Sequence, residues 1–123
     1  MPLSERLRPL LLLLAGLLGI TGVAMAAAAS HLADGHLLGN ASMMCLVHAP
    51  ALVAIHAGYR QFRTAPLAGI ILGIGTVLFA GDLACRHFYG SGLFPMAAPS
   101  GGILMMAGWL LVGAGFLFPA RTA

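Results

Sequence analysis

The chain has 123 residues, 60% of them hydrophobic and only 7% charged, with a mean hydropathy of +0.99. Water does not solvate such a composition as a globule, so the lipid bilayer is the expected solvent and partner. The net charge of +3 comes from arginines set against Glu5, Asp34 and Asp82, with no lysine. No basic stripe tracks a phosphate backbone, which excludes nucleic acid as a partner.

In chain order, four stretches reach the ~20 apolar residues that a ~30 Å hydrocarbon core requires. They run over residues 10–29, 37–57, 66–85 and 101–118. This predicts an all-α fold, a single transmembrane domain over 1–123 with four helices in antiparallel up-down order. The connections are short and carry turn residues, Asp34-Gly35 first, then Gly58 to Ala65, then Gly90, Gly92, Pro95 and Pro99. Short connections make consecutive helices antiparallel neighbours.

The first stretch has a second reading. Arg6 and Arg8, a leucine run and Ala24-Met25-Ala26 also fit a signal peptide with a small-residue cleavage site. Its apolar length exceeds a typical signal core, which favours a retained helix.

Arginine sets the orientation, because cytoplasmic loops collect positive charge. Arg6, Arg8, Arg60, Arg63 and Arg121 fall on one side and Arg86 alone on the other. Both termini are therefore expected in the cytoplasm. Tyr59 and Tyr89 fall at opposite helix ends, at headgroup level, while Trp109 lies mid-helix and is expected to pack on a neighbour.

Helices in lipid associate through close backbone approach, which small residues supply. Gly69 and Gly73 form a G-x-x-x-G pair on the third helix, Gly101 and Gly108 recur on the fourth, and Ala15 with Gly19 makes a looser pair on the first.

Several stretches of the second half carry a recognisable pattern: Leu78-Phe79-Ala80-Gly81-Asp82-Leu83, Ala98-Pro99-Ser100-Gly101-Gly102 and Ala107-Gly108-Trp109-Leu110-Leu111. The chain resembles the YgdD-like family of small inner-membrane proteins, a domain of unknown function with L-F-S-G-S-L, T-P-x-G-G and A-G-W-L-L at these places. His31 falls where that family has G-A-H-G, and His48-Ala49 where it has Y-H-A-L. The resemblance implies four transmembrane helices, a bacterial inner-membrane address and no established activity. Asp82 stands where the family has serine, Pro50 where it has leucine, and Met43, Met44 and Cys45 where it has polar and aromatic residues.

Polar residues inside the spans are the remaining signal. His48 lies near the bilayer midplane, where an ionisable group faces the bundle interior, and Pro50 removes a helix hydrogen bond beside it, so a kink is expected. The reading favoured is a neutral histidine bonding across helices; proton or metal binding is the alternative. His31, Asp34, His36 and His87, with Cys85, and Met44, Cys45 and His48 deeper in, are weak candidates for a metal, since no motif fixes two ligands on one element. Asp82 and Arg86 are expected as an i,i+4 ion pair at the outer end of the third helix.

No nucleophile and base stand in a catalytic arrangement, so no enzyme and no cofactor are expected. The favoured function is a structural or accessory subunit, in a homo-oligomer or a larger membrane complex. An oligomeric transporter or channel protomer, or a periplasm-facing metal-binding protein, is the alternative.

Overall fold

The computed structural model describes residues 1–120 and consists of four α-helices, α1 (Leu3–His31), α2 (His36–Ala57), α3 (Ala65–Tyr89) and α4 (Ala97–Ala114). All four are long and apolar enough to cross a membrane. Arg121, counted above with the cytoplasmic arginines, lies outside the described residues.

The helices are longer or shifted relative to the apolar stretches, for local reasons. α1 begins at Leu3 and runs through Pro9. Pro9 sits near the helix end, where water can take the place of the missing hydrogen bond. α3 opens with Pro66 in its first turn and stops at Gly90, which takes the left-handed conformation (φ 78°) of a helix terminator. α4 starts four residues before the expected Gly101, because Pro99 falls in its first turn, where an N–H is unpaired anyway. It ends at Ala114 rather than Phe118, and the chain leaves through turns. Between α1 and α2, Asp34 and not Gly35 takes the positive φ (56°), which aspartate tolerates. Gly35 is needed for space: a Cβ there would lie 2.5 Å from the Ala29 carbonyl oxygen.

Each helix packs antiparallel on the next, and α1 also touches α3. Among the described residues the backbone of α4 approaches neither α1 nor α2. α3 is thus the central element and α4 its outer companion. α2 and α3 have 44% of their apolar segments buried, against 22% for α1 and α4. Their outward faces are apolar, with Leu13, Ile20, Val23 and Leu110 all more than half exposed. That inside-out distribution is what a lipid solvent selects.

The glycines bear on this packing unequally. A Cβ on Gly69 would meet Leu11 Cδ1 at 2.7 Å, and one on Gly73 would meet Leu14 Cδ2 at 2.6 Å. The expected G-x-x-x-G contact therefore exists, and its partner is α1 of the same chain. The tightest backbone approach lies elsewhere, between α3 and α4. There a Cβ on Gly75 would lie 2.8 Å from the Gly101 carbonyl oxygen, and one on Gly101 would lie 2.6 Å from the Phe79 nitrogen. Gly108 receives Leu72. The looser pair on α1 is corrected: Ala15 is buried, but Gly19 meets nothing within 4 Å, and Gly22 makes the contact instead, against Leu46 and Cys45.

One end of the bundle is tied together. The Tyr59 hydroxyl donates to the Ser4 carbonyl, Arg8 Nε to the His56 carbonyl (3.2 Å) and Arg60 to Glu5 (3.1 Å). The chain beyond α4 returns to the same place: Arg63 N–H donates to Phe118 O (2.9 Å) and Ala120 N–H to Gln61 O (3.0 Å), as a short antiparallel bridge between Phe62 and Pro119.

Candidate functional site

A histidine in hydrocarbon must have its ring nitrogens paired or carry a cost of several kcal/mol. His48, 3% exposed, is held on both sides. From α4 the Trp109 indole N–H donates to Nε2 at 3.0 Å, and Nδ1 lies 2.8 Å from the Met44 carbonyl oxygen, one turn back on α2. Because an indole can only donate, Nε2 accepts, so Nδ1 carries the proton and donates to Met44. The ring is neutral with no nitrogen free. The two rings sit 5.7 Å apart at 55°. α2 runs unbroken through Pro50. Met44 contributes its carbonyl to the histidine, and Cys45 is buried against α1 rather than facing His48.

The other intramembrane polar groups are also spent internally. Ser42 Oγ donates across to the Gly22 carbonyl at 2.6 Å and Thr76 Oγ1 to Leu72 of its own helix at 2.7 Å; just before the start of α3, Thr64 Oγ1 donates to Leu111 of α4 at 2.7 Å. Among the described residues no buried side-chain nitrogen or oxygen lacks a partner.

Asp82 and Arg86 form the expected i,i+4 pair, with Nε 2.9 Å from Oδ2. The surroundings differ from those of a helix-end pair, because α3 continues two turns past Asp82. Asp82 is completely buried while Arg86 is about half exposed. The second carboxylate oxygen accepts the Leu93 backbone N–H at 2.8 Å. Gly92 makes this approach possible, since a Cβ there would fall 2.2 Å from that oxygen. The carboxylate thus gathers the α3–α4 connection beneath it. Nothing in the sequence placed Leu93 or Gly92 against Asp82, eleven and ten residues away.

The weak metal candidates are dispersed. His36 Nδ1 and Asp34 Oδ1 meet at 2.9 Å, both well exposed. His31 is exposed at the end of α1, His87 stands edge-on to Phe88, and His48 is engaged by Trp109. Among the described residues no three His, Cys, Asp or Glu side chains come together.

Residues 24–102 match the model of a family described as a protein of unknown function, DUF423. The chain belongs to the DUF423 family. The DUF423 match starts inside α1 and ends in α4, so it takes in His48, Asp82, Gly75 and Gly101 and leaves out Trp109. A family of unknown function is what the resemblance of the sequence implied. No curated protein and no solved structure matches the chain.

Proposed function

We propose that this DUF423 protein is a non-catalytic module of the bacterial inner membrane, a structural or accessory subunit that assembles laterally with itself or within a larger membrane complex. One observation carries the reading: the buried polar groups of the spans are consumed by bonds inside the chain, His48 at both ring nitrogens. Groups held this way stabilise a bundle and leave none over to pass a proton or ion along. The exposed apolar faces of α1 and α4 are the surfaces for assembly, since both outer helices bury so little within one chain.

The orientation proposed has both termini in the cytoplasm. The arginine bias supports it, and Arg6, Arg8, Arg60 and Arg63 gather at the one end where Ser4, Tyr59 and Pro119 meet.

Purification from native membranes in mild detergent, with light scattering and mass spectrometry of what copurifies, tests the assembly. A stoichiometric partner or a defined oligomer is expected; a bare monomer, or ion flux in proteoliposomes, overturns the reading. Orientation is read by cysteine labelling in intact cells at Ala33 and Gln61 in a Cys85→Ser background, both positions being exposed. Labelling at Ala33 alone is expected, and labelling at Gln61 alone reverses the topology.

A further inference from the structure

At the tied end of the bundle lies a cleft of about 530 Å³ whose walls include Glu5, Tyr59, Arg60, Arg63 and Pro66. Its size falls within the range of about 300–1,000 Å³ that ligand sites occupy. Among the described residues its charge is unbalanced. Glu5 is satisfied by Arg60, Arg63 is exposed with no ion pair among the described residues, and the Arg8 guanidinium stands 5.7 Å over the Tyr59 ring. The N-terminus of α3 opens on the same cleft, and Thr64 does not cap it, having given its hydroxyl to Leu111. The helix dipole adds to the positive field there.

The cleft does not end in water alone. Phe62, one of its walls, is also a wall of an apolar groove between α2 and α4, floored by Ala51, Ala54 and Ile55 and reaching Trp109. Trp109 also lines a second apolar pocket, of about 450 Å³, together with His48, Met44 and Met105. From Ile55 to Met44 the two pockets together follow α2 for ~16 Å at ~1.5 Å per residue. That is about half of the ~30 Å hydrocarbon core, the depth of a single leaflet. The pockets lie where the α2 and α4 backbones do not meet, and Trp109, which lines both, reaches across to His48.

A cationic cleft at the membrane surface, beside apolar pockets that together reach one leaflet deep, has the shape and polarity of a phospholipid. We propose that it binds one anionic phospholipid, with the phosphate on Arg63 and Arg60 and one acyl chain lying in the groove against Trp109. Basic pockets between transmembrane helices recognise anionic headgroups in this way. Glu5 holds Arg60 across the cleft and limits the excess of positive charge, which suits a singly charged phosphodiester better than a more highly charged group. The proposal requires only that the chain is embedded in a membrane, and it stands whether or not the protein assembles laterally.

The test is thermal unfolding and native mass spectrometry of the full chain in detergent, titrated with phosphatidylglycerol, phosphatidylcholine or soluble glycerol phosphate. Phosphatidylglycerol is expected to bind saturably and raise Tm, and the other two to have little effect. Arg63→Gln should weaken phosphatidylglycerol binding about fivefold, the worth of one arginine near an anionic headgroup, with no change toward phosphatidylcholine. Ala51→Leu, which fills the groove at a partly lipid-facing position, should weaken it as well, whereas Ile20→Phe, on the outer face of α1, should not. Equal binding of both lipids, or full affinity in Arg63→Gln, removes the headgroup site. Glycerol phosphate binding as tightly as the lipid would make the ligand a soluble phosphate, and full affinity in Ala51→Leu would deny the groove its acyl chain; either result overturns the proposal.

Discussion

Trp109 of α4 and His48 of α2 are joined by a single hydrogen bond of 3.0 Å across a gap their backbones do not close. The bond also fixes which histidine nitrogen carries the proton, so one contact settles both the tautomer and the placement of α4 against α2.

If that bond couples the two helices, the effects of removing either partner should not add. Trp109→Phe and His48→Leu, alone and together, form a double-mutant cycle whose coupling is expected at about 0.6–1.7 kcal/mol, the range for interhelical hydrogen bonds in membranes. Unfolding in mixed micelles measures it. Strictly additive losses would mean that the two side chains pack independently.

Glycine positions should divide by what their missing Cβ would strike. At Gly75 and Gly101 the obstacle is backbone, which cannot rotate away, so alanine at either should cost about 1–3 kcal/mol and separate α3 from α4. At Gly69 and Gly73 the obstacle is the end of a leucine, so alanine should cost less. Gly19→Ala, with open space around it, should be neutral or slightly stabilising. Similar losses at Gly19 and Gly101 would refute the distinction.

Removing the Asp82 carboxylate should loosen the α3–α4 connection as well as the ion pair. Asp82→Ala leaves Arg86 and the Leu93 N–H without their acceptor and is expected to cost about 2 kcal/mol, less than a fully buried pair because Arg86 reaches water. Asp82→Asn retains an acceptor for Leu93 and should cost less. Amide exchange at Leu93, slow in the parent protein, should accelerate in the alanine variant.

Tyr59 gives the protein an alkaline limit. Burial pushes its phenol above the ordinary value of 10.0, Glu5 adding to the effect and Arg8 opposing it. The folded state therefore prefers the neutral phenol, which can donate to Ser4. Its contribution is complete below about pH 10 and is lost as pH rises through the folded-state value. Tyr59→Phe should cost about 1 kcal/mol at neutral pH and flatten the decline of Tm above pH 10. An unchanged alkaline limb would assign it to another group.

The four spans and their order were legible because each is a long apolar run between turn residues, a signal that needs no knowledge of the neighbours. Gly69, Gly73 and the Asp82–Arg86 pair were legible for a similar reason, since helical spacing alone puts them on one face. What α3 does with Gly75 was not. It stands two residues from Gly73, off that spacing, and only the position of Gly101 on another helix gives it meaning. Trp109 was recognised as a packing residue, but its partner, 61 positions away, is set by how far α4 stands from α2. Two starts moved for different reasons: the first apolar stretch begins after the charged Arg6 and Arg8, which α1 includes, and Pro99 reads as part of a connection although it lies inside α4, near an end where the lost hydrogen bond costs little.

The connection between α2 and α3 holds more than its own two helices. Tyr59 and Arg60 fasten the start of the chain to it, and Gln61 and Arg63 fasten the segment that follows α4. A cut there would release the beginning and the far end of the polypeptide at once, whereas a cut between α1 and α2 would release neither from this clasp. The molecule is clasped at this one surface across three of its segments, whereas at the opposite end Asp82 holds only the single connection between α3 and α4.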